Sequence, residues 1–153
     1  MDAKIINPFI NATMNVIETM AFVKSKPDKP YLKKDNTAKG DVTGVIGVTG
    51  EANGTVSITF EEASILQIVS SMFSEEITEL NFEVADAVGE LTNMVSGQAR
   101  SKLEELGIIF HSATPTVITG KNHMIVHITD GPKIAVPFTT DAGGFTMEIC
   151  LDS

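Results

Sequence analysis

The chain has 153 residues, 42% of them apolar, which suits one globular domain with a sizeable core and excludes a disordered chain. A formal net charge of −9 speaks against nucleic acid, whose phosphates need a basic footprint. No apolar run is long enough to span a membrane, which takes about 18 residues or more.

Met1-Asp2-Ala3-Lys4 leads into an amphipathic stretch rather than an apolar signal core, so the expected location is cytoplasmic. Residues 5–22 read as the first helix, with Pro8 in its first turn and Ile6, Phe9, Ile10, Thr13, Ile17, Met20 and Ala21 at helical spacing. The other side of this helix carries Asn7, Asn11, Asn15 and Glu18. Residues 24–40 contain six of the 11 basic residues (Lys24, Lys26, Lys29, Lys33, Lys34, Lys39) and read as a loop or an edge strand around Tyr31 and Leu32. Residues 42–49 and 55–60 are β-rich, with a glycine-bounded hairpin connection between them.

Glu61 and Glu62 open a short helix reaching about residue 72, where acidic side chains suit the helix dipole. Asn81 or a neighbour caps a long helix that ends at Leu106-Gly107, where glycine can take the left-handed C-cap conformation. Strands are then expected at 108–111, 116–119, 124–129, 133–138 and 145–151, separated by turn residues such as Asp130-Gly131-Pro132 and Asp141-Ala142-Gly143-Gly144. This order predicts a single α+β domain over residues 1–153, an antiparallel sheet packed against a few helices.

The long helix holds the clearest candidate for function. Val84, Val88, Leu91, Val95, Ala99, Leu103 and Leu106 share one face, and Asp86, Glu90, Asn93, Gly97, Arg100 and Glu104 fall on the other. Glu90 and Asn93, three apart, can touch the same partner. A glycine inside a helix costs about 1 kcal/mol against alanine, so Gly97 on the polar stripe suggests close access by another surface. Most such pairs on a polar face are merely solvated, and the spacing alone leaves both readings open. With no Ser, His or Cys positioned beside it, the pair is not a triad, and it supplies too few ligands for a metal.

Other signals are weaker. Asn11, Asn15 and Glu18 carry the reverse order, Asn before Glu, and read as solvated or structural. His123 and His127, four apart in the expected strand at 124–129, read as one exposed strand face rather than a metal site. His111 reads as structural, and the lone Cys150 as a buried structural thiol. The glycines at 40, 44, 47, 50 and 54 match no dinucleotide or Walker pattern. Residues 51–105 hold only Arg100 and Lys102 as basic residues, an acidic balance that would steer a lysine-bearing partner or carry no message at all.

Several stretches together resemble the CheX chemotaxis phosphatases. Asn7-Pro8-Phe9-Ile10 with Glu18-Thr19-Met20-Ala21-Phe22 looks like their opening helix. Gly44-Val45-Ile46-Gly47 to Gly54-Thr55-Val56-Ser57-Ile58 is similar to their hairpin, and Glu90-Leu91-Thr92-Asn93, followed by Gly97 and Ala99, to their Glu-x-x-Asn helix. Related CheC-type phosphatases can carry a second forward motif in the first helix. This chain lacks it, which implies a single site.

The resemblance implies hydrolysis of the aspartyl phosphate of a phosphorylated CheY-like receiver. Asn93 would orient the attacking water and Glu90 would pair with a receiver lysine. Asp86, Gly97 and Arg100 are the expected further partner contacts. The enzyme would need no metal or cofactor of its own, because the receiver would bring Mg²⁺, Asp and Lys. A homodimer formed by sheet edges is also implied. A non-catalytic module that sequesters a receiver or a flagellar switch protein is the alternative, and a small-molecule sensor has no specific residue behind it.

Overall fold

The computed structural model describes residues 3–127 and 129–152. In chain order the elements are α1 (Ala3–Ala21), β1 (Lys26–Pro27), β2 (Tyr31–Lys33), β3 (Val42–Gly50), β4 (Gly54–Phe60), α2 (Glu62–Phe73), α3 (Phe82–Glu105), β5 (Phe110–Ser112), β6 (Thr116–Thr119), β7 (Lys133–Thr140) and β8 (Gly143–Leu151). The strands form one antiparallel eight-stranded sheet in the order β1-β7-β8-β4-β3-β5, with β2 also on β7 and β6 also on β3. The α+β expectation holds.

Alternation along the strands gives the sheet two different faces. Register places Phe60 opposite Phe145, and Phe145 opposite Phe138. These rings pack at centroid distances of 5.2 and 4.9 Å. With Val42, Ile46, Val56, Ile58, Val136, Met147 and Ile149 they form one apolar cluster with the buried faces of α1, α2 and α3. The helices therefore cover this face of the sheet. Among the described residues, no helix is long and apolar enough to cross a membrane.

The opposite face is polar yet buried. Thr43, Thr55, Ser57, Thr59 and Glu148 are all 2% exposed or less. They are roofed by irregular segments, 34–41 with 120–127 and 129–131, which pair through Ala38 N–H to His123 C=O (2.7 Å), Ile125 N–H to Asn36 C=O (2.7 Å) and Asn122 N–H to Gly40 C=O (2.9 Å). The expected strand at 124–129 does not form; Met124 makes one isolated bridge, to Thr37, and Ile128 lies outside the described residues. The alternation there runs the opposite way to a core-facing strand. Met124 and Val126 face solvent (60% and 82% exposed), while Ile125 is buried and both flanking histidines bond to the sheet face.

Three boundaries shift for identifiable reasons. The first helix starts at Ala3, which puts Pro8 in its second turn. It stops before Phe22, which takes a left-handed conformation (φ 55°) and is 85% exposed. Leu106, expected on the buried face, is 57% exposed because the helix ends at Glu105 and the chain turns away through Gly107 (φ 81°).

Candidate functional site

The polar stripe of α3 is where the sequence placed it. Asn81 caps the helix by accepting a hydrogen bond from the Val84 N–H (3.1 Å). Val84, Val88, Leu91, Val95, Ala99 and Leu103 are buried. Asp86, Glu90, Asn93 and Glu104 are exposed, and Gly97 and Arg100 are half-buried. Neither the Glu90 carboxylate nor the Asn93 amide has a partner among the described residues, so both can be offered to another molecule.

Gly97 stands in open space: a Cβ added there would meet nothing within 4 Å. Among the described residues, no packing requires glycine at that position. Arg100, one turn on, edges a hollow of about 130 Å³ with Gly97, Ser101, Glu104, Ile109 and Phe110. Its Nε is buried without a hydrogen-bond partner, although buried donors are nearly always satisfied.

Two close contacts hold this helix. A Cβ at Gly44 of β3 would lie 2.0 Å from Thr92 Oγ1, and one at Gly89 of α3 would lie 3.3 Å from Val117 Cγ2 of β6. Thr92 itself is buried, and its hydroxyl donates to the Val88 carbonyl one turn back (2.7 Å). The backbone of β3 is thus as near to the motif helix as a residue without a side chain permits.

The reversed set on α1 is not a second copy of this arrangement. Asn15 donates to Gln98 of α3 (2.8 Å), tying the two helices, while Asn11 and Glu18 are exposed. A groove of about 690 Å³ runs between α1 and α3 past Asn7, Pro8, Asn11 and Ser101. It includes neither Glu90 nor Asn93.

The principal polar cluster missed from sequence lies on the other face of the sheet. Lys33 Nζ donates to Glu148 Oε2 at 2.7 Å and to the Thr37 carbonyl at 2.6 Å. His127 meets Glu148 Oε1 at 3.3 Å through Nε2, and its Nδ1 bonds the Thr55 hydroxyl. A carboxylate only accepts, so Nε2 carries the proton. The Lys33, His127 and Glu148 side chains are 7%, 3% and 2% exposed. Burial pushes the Glu148 carboxyl up, but the hydrogen bonds from His127 and Lys33 and their charges outweigh it and hold it below the usual range.

His127 is therefore no part of an exposed strand face, and Lys33 gives the lysine-rich segment a structural anchor. His123 is tied separately, to Thr43 Oγ1 (2.6 Å) and the Gly120 carbonyl (2.5 Å). His111 is exposed in β5, and Cys150 is buried against the Thr129 and Gly131 carbonyls. Among the described residues no three His, Cys, Asp or Glu side chains converge as metal ligands.

Residues 42–139 match the family described as chemotaxis phosphatase CheX. The CheY-P phosphatase CheX of Thermotoga maritima is 32% identical over 123 residues, covering 80% of this chain and 79% of that protein. A CheC-like superfamily protein from Shewanella sp. PV-4 superposes over 100% of both chains with a TM-score of 0.94 and 49% identity. CheX of Borrelia burgdorferi, solved as a complex with CheY, BeF3 and Mg²⁺, superposes over 97% of both chains with a TM-score of 0.82 and 26% identity.

Proposed function

The chain belongs to the CheX chemotaxis phosphatase family and is a protein phosphatase, and on that footing we propose that it hydrolyses the aspartyl phosphate of a CheY-like receiver through Glu90 and Asn93 of α3. The observation that carries this reading is the exposed, unpartnered carboxylate and carboxamide side by side on a rigidly seated helix. The test is phosphate release from phosphorylated receivers.

The chemistry asks little of the enzyme. A water oxygen bonds to phosphorus in line as the bond from phosphorus to the receiver's aspartate oxygen breaks. The leaving group is a carboxylate, which departs without a proton, and the water's proton passes to the phosphate. The Asn93 amide both donates and accepts, so it can hold that water at the angle of attack. A ~100-fold acceleration corresponds to about 2.7 kcal/mol, the size of effect that one positioned polar group supplies. The receiver brings its own Mg²⁺, which would neutralise the phosphoryl oxygens.

Glu90 carries a full charge and meets a lysine of the receiver, which fixes the helix in register. Charge pairs at the rim of an interface act mainly on encounter and salt dependence. Glu90→Ala is accordingly expected to weaken receiver binding several-fold at low salt and to flatten its salt dependence, with a smaller effect on the chemical step. Binding measured across a salt series checks this; unchanged affinity with an unchanged slope removes Glu90 from docking.

Asp86, Gly97 and Arg100 complete the contact. Gly97 lets the receiver surface approach the helix, and Arg100, half-buried one turn on along the same stripe, borders that approach. Gly97→Leu should lower phosphate release at least ~10-fold by obstruction. The melting temperature should be equal or higher, because leucine is the better helix former and the space at position 97 is open. Full activity in that variant would take Gly97 out of the interface, and a lower melting temperature would mean the position packs against the protein itself.

A further inference from the structure

We infer that Gly44 is a positioning residue for the phosphatase reaction: by lacking a side chain it sets the height and rotation of α3, and so where the Asn93 amide stands. The inference rests on the functional reading of Asn93. Its basis is the contact between Gly44 and Thr92, the residue immediately before Asn93. A Cβ at position 44 would stand 2.0 Å from Thr92 Oγ1, 3.0 Å from Thr92 Cβ and 3.3 Å from Val88 Cγ1, whereas ordinary contact begins at 3.4 Å.

Thr92 cannot simply swing away. It is 1% exposed, and its hydroxyl is held by the Val88 carbonyl at 2.7 Å. Gly44 sits within β3, which is hydrogen-bonded to β4 on one side and β6 on the other, so the strand is equally constrained. The remaining way to find space is for α3 to lift or roll. The second close contact, Gly89 against Val117, lies just before Glu90, so the two motif residues are each preceded by a residue in close contact with the sheet.

The glycines at 54 and 131 are also crowded, but by the backbone of β8 and of the residue after it, away from α3. At Gly44, by contrast, an added side chain presses on the motif helix from the sheet. Because residue 92 points inward and residue 93 outward, a roll that relieves the first displaces the second. A displacement of about 1 Å at a positioned group can cost ~100-fold in rate.

The test is a double-mutant cycle read in kcat and KM for phosphate release from a phosphorylated CheY-like receiver, with melting curves to establish folding. Gly44→Ala is expected to lower kcat at least ~30-fold with KM changed less than ~3-fold. In a Thr92→Ala background, which removes the Oγ1 that the new Cβ meets, the same Gly44→Ala change should cost less than ~3-fold in kcat. Wild-type kcat in Gly44→Ala, or an undiminished loss in the Thr92→Ala background, would overturn the inference. If Gly44→Ala does not fold, Thr92→Ile replaces the hydroxyl at the same contact by a larger ethyl group from the helix side: a low kcat at retained KM supports the inference and a wild-type kcat defeats it. Asn93→Ala is run alongside; full activity there would defeat the functional reading itself, whatever position 44 does.

Discussion

Replacing Asn93 by alanine should lower phosphate release at least ~100-fold while leaving the fold and receiver binding nearly intact. The amide is exposed and has no partner in this protein, so removing it should change stability by less than about 0.5 kcal/mol. Its proposed task is confined to the reaction: holding one water in line with the phosphorus. Loss of one preorganised donor at such a point typically costs about 10²–10³-fold in kcat. The assay is single-turnover phosphate release, with binding measured separately on a receiver carrying BeF3 in place of the phosphoryl group. Retention of wild-type release would remove Asn93 from the mechanism. Loss of binding in parallel with release would make it a docking residue instead.

Glu148→Ala should act in the opposite manner, destabilising the fold and sparing the chemistry. The carboxylate joins Lys33 and His127 on the sheet face away from the helices, and all three side chains are buried. Removing it leaves the buried Lys33 ammonium only the more distant, exposed Asp35 carboxylate at 3.9 Å, and breaking a buried pair costs about 3–5 kcal/mol. Urea denaturation at neutral pH measures this as a shift in midpoint.

The same group predicts acid sensitivity. Its folded-state pKa lies below the usual carboxylate range, so its contribution is fully present above that range and is lost as pH falls through the folded value. Glu148→Gln should therefore show a flatter decline in stability with acid than the parent. Activity per folded molecule should persist in both variants, since α3 lies across the sheet. Unchanged stability in Glu148→Ala would mean that the roof segments are held by their backbone bonds and by the His123 and Lys133 side chains without the buried ion pair.

The contrast between these two sites explains what the sequence could disclose. Glu90 and Asn93 lie on one helix, so periodicity and the Asn81 and Gly107 ends were enough to place them on the wet face. Leu106 went wrong for a local reason, since it falls after the last helical residue, where the 100° rotation no longer applies. The openness around Gly97 and the crowding at Gly44 were not legible, because both depend on which strand lies beneath the helix.

The buried cluster was invisible for the same kind of reason. Lys33 and Glu148 are separated by 115 positions, and each belongs to a segment with a plausible exposed reading. A run such as Met124-Ile125-Val126 has strand composition, but its backbone partners are an irregular stretch, and the inward histidines that flank it, His123 and His127, meet threonines instead of a hydrophobic layer. Sequence alternation alone does not say which of two faces is the core when the second face is roofed.

The most direct measurement is the lifetime of the phosphoryl group on a CheY-like receiver, with Mg²⁺ present and this protein added far below stoichiometry. The account predicts that decay accelerates by ~100-fold and that each molecule releases many phosphates, as a catalyst must. A lifetime that is unchanged or lengthened, with receiver bound one to one, would contradict it and identify a protein that sequesters the receiver without hydrolysing it.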